Sequence, residues 1–195
     1  MAYPIAAYDA LPLYNMARQG KIFTGNIAAA GVVLPIYSNN TQQCGLWNPA
    51  GSGKDLILLR VSMTYVDTTG AAGGYVISQL TGLGSAVATG TSITAFTETT
   101  PVSDYPGGGF TSVAKFGQGA TLTIVGASAT IKRNLGLNQL VTTAADATTV
   151  PWKTDFQFDG DVVVPAGTAI FLAGNIATLS KWSGSLTWAE VTVGS

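Results

Sequence analysis

Histidine is absent from the 195 residues, and cysteine occurs once, at Cys44. Without histidine there is no His-based triad, no His-ligated metal site and no His general base. One cysteine excludes an intrachain disulfide and a cysteine-cluster zinc site. In the context QQCGLWN, Cys44 reads as a small buried hydrophobe, since a nucleophilic role would need a base that the chain lacks. Charge is the next scarcity. Lys plus Arg number 9 and Asp plus Glu 10, for a net charge of −1, and charged residues are 10% of the chain against roughly 25% in an ordinary domain. With no basic excess, neither nucleic acid nor an anionic membrane surface is an expected partner. Long apolar runs are missing too, so no segment approaches the ~18 residues of a membrane span. The first positive charge is Arg18, and the start does not read as a signal peptide. The expected setting is a cytosol.

What the chain has instead is small residues and threonine: Gly 24, Ala 26 and Thr 25, against an ordinary hydrophobic content of 47%. Such side chains are cheap to desolvate and lose little entropy when fixed, which suits a surface buried in an assembly. The length fits one domain. Residues 1–19 stand apart as an N-terminal arm and a short helix, and residues 20–195 as the folded domain. Asp9 is a candidate helix cap, Pro12 is tolerated in the first turn, and Gly20 lies just past the end. Ala10, Leu13, Tyr14 and Ala17 form one apolar stripe.

From Lys21 onward the hydrophobic period is two. Ile57, Leu59, Val61, Met63 and Tyr65 alternate with Arg60, Ser62 and Thr64 in the clearest strand, Asp55–Asp67. Further strands are expected at 21–26, 32–37, 43–48, 75–80, 121–125, 129–132, 156–158, 161–164, 168–173 and 186–193, with Pro35 demoting its run to an edge or bulge. Leu186 and Trp188 share one parity and Val191 and Val193 the other, so a bulge near Ala189–Glu190 would turn all four inward. Turns follow from Asn48–Gly53, Thr69-Gly70, Pro106–Gly109, Asp159-Gly160 and Pro165–Gly167. Residues 82–119 read as long connections with one or two edge strands. Many short strands, and no helix-period segment between them, predict an all-β sandwich or barrel.

Several motifs fail on inspection. Gly51-Ser-Gly-Lys54 resembles the end of a phosphate loop, but position 48 is Asn, position 55 is Asp, and the segment leads into a strand. Gly82-Leu-Gly84 and Gly117-Gln-Gly119 lack the third glycine and the helix of a dinucleotide site. Asp155, Asp159 and Asp161 fit a hairpin turn better than a calcium loop or a carboxylate pair. No metal, cofactor or small-molecule ligand is expected. Of the four tryptophans, Trp188 reads as core, Trp47 as core or rim, and Trp152 as a loop–strand junction. Trp182 lies in a polar loop, where it either stacks on a sugar or a partner, or folds back over the sandwich end.

The stretches Ala17-Arg-Gln-Gly-Lys-Ile-Phe-Thr-Gly25, Gly45-Leu-Trp-Asn-Pro-Ala-Gly-Ser-Gly-Lys-Asp-Leu-Ile-Leu-Leu-Arg-Val61, Asp161–Leu172 and Leu186–Val193 resemble small structural proteins of tailed bacteriophages. The resemblance spans most of the chain and rests on strand–turn grammar. It implies an N-terminal arm before a jelly-roll-like β-sandwich, and a capsid decoration (cement) protein with no catalytic residue. It further implies a homotrimer on the outside of an icosahedral shell, with the major capsid protein as partner. On that reading Tyr3, Ile5, Leu13 and Tyr14 lie in grooves of a neighbouring chain. The alternative is a tail or fibre receptor-binding module, with Trp182 against host glycan. A carboxylate glycosidase on the same scaffold ranks behind both.

Overall fold

The computed structural model describes residues 11–39, 41–66, 73–84, 93–95, 98–124, 129–138, 153–176 and 181–193. A short helix, α1 (Leu11–Arg18), precedes thirteen strands: β1 (Ile22–Val33), β2 (Thr41–Asn48), β3 (Lys54–Tyr65), β4 (Gly73–Thr81), β5 (Ile93–Ala95), β6 (Glu98–Thr99), β7 (Val102–Ser103), β8 (Lys115–Ile124), β9 (Thr130–Asn138), β10 (Lys153–Gln157), β11 (Val163–Val164), β12 (Thr168–Gly174) and β13 (Lys181–Thr192). They form two antiparallel sheets. Sheet 1 runs β10-β3-β13-β1-β7 with β11 also on β3, and sheet 2 runs β5-β8-β2-β12-β4-β9 with β6 on β8.

The pairings are nested. β1 pairs β13, β2 pairs β12, β3 pairs β10 and β11, and β4 pairs β9. First meets last, second meets next to last, and so inward. A long hairpin rolled up in this way is a jelly roll, and the expected all-β sandwich is the fold. Residues 82–129 interrupt the nest. They supply β7, which extends sheet 1 beyond β1, and β8, which extends sheet 2 beyond β2. The insertion thus borders both sheets along one side, and covered edges resist pairing with foreign strands.

Trp188 lies in the interior, as its alternation with Leu186 predicts, and is fully buried. Its ring stacks between Phe23 of β1 and Phe116 of β8, with centroids 6.4 Å away on each side. Phe116 occupies the space a side chain at Gly25 would need, so a glycine in β1 admits the ring from the insertion. Cys44 and Leu46 of β2 face the same interior. The outward side of sheet 2 carries a second apolar cluster of Trp47, Leu80, Leu83, Ala129, Ala169 and Phe171. Strand β12 is buried along its whole length, between the two clusters.

The structure corrects two registers. In β3 the buried residues are Leu56 and Leu58, then Val61, Met63 and Tyr65. Thr187 pairs with Arg60 and Trp188 with Leu58, so Leu59 is the extra residue of a bulge. The bulge switches parity, and it turns Ile57 and Leu59 away from the interior. The irregularity expected in β13 near Ala189–Glu190 therefore sits in its partner instead. Strand β13 stays regular there, so Glu190 is buried while Val191 and Val193 are exposed. The run around Pro35 ends β1 at Val33, with Ile36 making one isolated bridge to Gly174.

Removing the Trp188 ring should destabilise the fold by about 3–5 kcal/mol. Chemical denaturation of Trp188→Ala checks this, and a midpoint close to the parent's would contradict the stacked interior described above. Cys44 offers a second check. Burial pushes its thiol from 9.0 up to about 12. The folded state thus favours the protonated thiol, and stability should be full below pH 9 and fall as pH rises toward 12. Cys44→Ala should lose that alkaline slope relative to the parent.

Candidate interaction surface

Helix α1 ends in a glycine stop. Gly20 takes φ 65°, its N–H donates to the Ala17 carbonyl at 2.9 Å, and the Lys21 N–H donates to the Met16 carbonyl at 2.9 Å. This pair of bonds is the Schellman arrangement, and it turns the chain directly into β1. The Phe110 ring fills the position a side chain at Gly20 would take. Leu13 and Tyr14 point to solvent, 54% and 56% exposed, and the Arg18 guanidinium lies 5.7 Å from the Tyr14 ring centre. An eight-residue helix is not stable alone in water, and its exposed apolar pair is not covered by its own sandwich.

The neighbouring end of sheet 1 is apolar on its outer face. Val163, Ile57, Ala189 and Ile22 stand in one row across β11, β3, β13 and β1. Ile22 and Ala189 are buried, yet they belong to neither apolar cluster. Along the strands, Val191 follows Ala189, and Val102 pairs with Thr24 beside Ile22. Val102, Tyr105, Phe110, Val191 and Val193 are all exposed. The loop that carries two of them is closed on itself: the Tyr105 and Phe110 rings are 6.4 Å apart and both crowd Gly108. The next row is polar. Thr24 Oγ1 lies 2.9 Å from Thr187 Oγ1 and donates to Asp104 Oδ1 at 2.8 Å, and Arg60 binds Asp155 with two hydrogen bonds.

A buried carboxylate fastens the insertion here. Glu190 Oε2 accepts from Lys54 Nζ at 2.7 Å, and Oε1 accepts from the Ser112 hydroxyl and from the Val113 N–H at 3.0 Å. The turn before Lys54 uses Gly51 and Gly53 at positive φ and enters β3 at once, so its lysine serves this ion pair. The hairpin expected at Asp159-Gly160 is not formed. Strands β10 and β11 both pair antiparallel with β3, Gln157 with Arg60 and Val163 with Ile57. The segment between them is a break along one edge of β3, and the aspartates diverge from it. Asp155 pairs with Arg60, Asp161 with Arg133, and Gly160 takes φ 87°. The hydrogen bonds that Arg60 donates to Asp155, then that carboxylate's charge, hold the guanidinium more firmly protonated. Among the described residues no three His, Cys, Asp or Glu side chains gather as metal ligands, and no helix is long and apolar enough to cross a membrane.

Of the residues singled out by sequence, Tyr3 and Ile5 lie outside the described residues, as do the cap Asp9, the stripe's Ala10, the Thr69-Gly70 turn and Trp152. Leu13 and Tyr14 are on the surface. Trp182 is a correction: it belongs to β13 and is wholly buried, with Tyr65 at 5.3 Å and Tyr75 at 4.8 Å between ring centres. A ring inside the sandwich has no face for a sugar or a partner. Besides Tyr14, the exposed aromatics among the described residues are Tyr105 and Phe110, in a stretch read as a connection. Their signal was the pair of rings flanking Pro106 and three glycines. Glu190 had no distinguishing pattern, because its partners Lys54 and Ser112 are distant in sequence. Compared with protein-family models, characterised proteins and solved structures, the chain matches none.

Glu190→Ala would leave a lysine and two partly buried donors without their acceptor. The expected loss is roughly 3 kcal/mol, the lower end for breaking a buried pair, because Lys54 is a third exposed. Equilibrium unfolding measures it, and Glu190→Gln, which keeps an acceptor, should lose less.

Proposed function

We propose that this chain is a non-enzymatic structural protein of a virion, which decorates and stabilises an icosahedral phage capsid by binding neighbouring major capsid subunits. The observation that carries the reading is the exposed Leu13–Tyr14 pair on a helix too short to stand alone. Such a pair needs a cover, and the apolar arm ahead of it, with Tyr3 and Ile5, extends the same chemistry. Each large side chain buried in a groove of the shell contributes roughly 1.5–3 kcal/mol, and many copies on one shell multiply a modest contact. The jelly-roll topology and the scarcity of surface charge are compatible with a protein held in an assembly as a homo-oligomer, with three copies the expected number. The arm and helix serve the shell, and the sandwich serves as the body that the arm anchors.

Deleting residues 1–19 separates anchoring from folding. The truncated protein should melt within a few degrees of the parent, because every strand is kept, and should fail to co-sediment with shells assembled from the major capsid protein. Undiminished shell binding by the truncated protein would remove the arm from the mechanism. A large fall in melting temperature would show that the helix serves its own sandwich.

A further inference from the structure

Three consecutive residues join α1 to β1, and each is held by a different group. Gly20 is buried beneath the Phe110 ring, so closely that a methyl group there would lie 2.0 Å from Phe110 Cγ. The Lys21 carbonyl accepts from the Glu190 N–H at 2.7 Å, and the Ile22 carbonyl accepts from the Asp104 N–H at 3.0 Å. Two of these holds come from one segment of the insertion, residues 104–113. That segment is fastened at both ends. At its start, Asp104 Oδ1 accepts from Thr24 Oγ1 at 2.8 Å, directly after the pairing of β7 with β1. At its end, Ser112 and Val113 donate to Oε1 of the buried Glu190, the residue whose N–H grips Lys21. Between the ends, Gly107 and Gly109 take φ 81° and 66°. A side chain at Gly108 would meet the Phe110 and Tyr105 rings. The three glycines therefore let the segment double back and lay Phe110 on Gly20.

We propose that residues 104–113 form a latch that sets the direction in which α1 leaves the sandwich, with Phe110 on Gly20 as its catch. Helix α1 needs such a hold, because eight residues do not sustain a helix in water and its Leu13 and Tyr14 are exposed. A Schellman stop is commonly completed by an apolar contact from residues beside it in sequence. Here the apolar contact at the stop comes from a ring far along the chain. Residues 104–113 contain no strand, so an open latch frees the helix and leaves both sheets paired. Local opening of this kind costs less than global unfolding. A helix held in one direction loses less freedom when a partner covers it, which strengthens binding without adding a contact. The latch deepens the anchoring role proposed for the arm and rests on that reading for its purpose, but its existence is measured without a shell.

Trypsin reads the latch directly. Arg18 and Lys21 are the first cleavage sites in the sequence, and both lie at the latched junction. Cleavage requires a locally unfolded chain, so its rate follows the open population when opening and closing are fast. Phe110→Ala should release residues 1–18 or 1–21 about ten-fold faster or more, as followed by mass spectrometry. Phe110 is exposed, so the melting temperature of this variant should stay within a few degrees of the parent's. Gly108→Val keeps the ring and displaces it from Gly20, and should accelerate the same cut. Ile131→Ala, at a similarly exposed apolar residue on β9, should be cut like the parent. Parental cleavage rates in both Phe110→Ala and Gly108→Val overturn the proposal. So does acceleration spread over all tryptic sites in both variants, or a parent cut at Arg18 as fast as an unstructured peptide of the same sequence. A latch that fails this test leaves shell binding by the arm to be judged by the truncation, and a truncated protein that still binds shells leaves the latch standing.

Discussion

Strand β13 lies between β1 and β3, and the sandwich closes only when this last strand reaches that place. Its register with β1 joins Ile22 to Ala189, and its register with β3 joins Lys54 to Thr192. Trp188 then stands between Phe23 and Phe116, rings from β1 and from the insertion. Three distant parts of the chain meet on one indole. Pairings this distant in sequence carry a large loop-closure entropy before any contact rewards them. The interior must therefore form cooperatively, and a strand that is last in sequence holds the centre of sheet 1.

The insertion between β4 and β9 belongs to this closed core. It borders β1 through β7 and β2 through β8, and Phe116 enters the space left by Gly25. Glu190 ties its Ser112–Val113 segment to the end of β13 and to Lys54. The desolvation of this buried carboxylate is offset by the Lys54 ammonium and by the Ser112 and Val113 donors. The same tie fixes the loop that carries Tyr105 and Phe110 beside Gly20. The surface at this end is consequently shaped by core contacts.

The chain has little charge to spend on keeping copies apart, and its exposed apolar side chains are unevenly placed. α1, the 102–110 segment and the end of β13 hold seven of the ten large hydrophobics that are exposed among the described residues. The polar row beside them is built from threonines, Arg60 and two aspartates, hydrogen-bonded in two groups, Asp104–Thr24–Thr187 and Arg60–Asp155. These features support reading the molecule as a component of an assembly, with the α1 end turned toward its partners.

Much of the architecture was legible in residue patterns. Alternation located ten of the strands and Gly20 marked the end of α1, whereas Asp159-Gly160 marked a break between β10 and β11 along β3 where a hairpin was expected. Leu186 and Trp188 were assigned to the interior because they share a parity. Parity, however, is local to a strand, and a bulge resets it. Whether Ile57 or Leu58 faces inward depends on Leu59 being skipped when Thr187 and Trp188 pair with β3. That choice is made by the partner strand, so it also decides that Glu190 is inside and Val191 outside. Trp182 lies in a polar stretch that sequence alone leaves open between loop and core. Pairing with Tyr65 and Val32 makes it a strand residue, and two tyrosines then enclose it. Composition and period thus determined that the chain is a β-sandwich with an apolar N-terminal helix. Which side chains remained at its surface was decided only when distant strands met, because burial is a property of pairs that have no neighbourhood in the sequence.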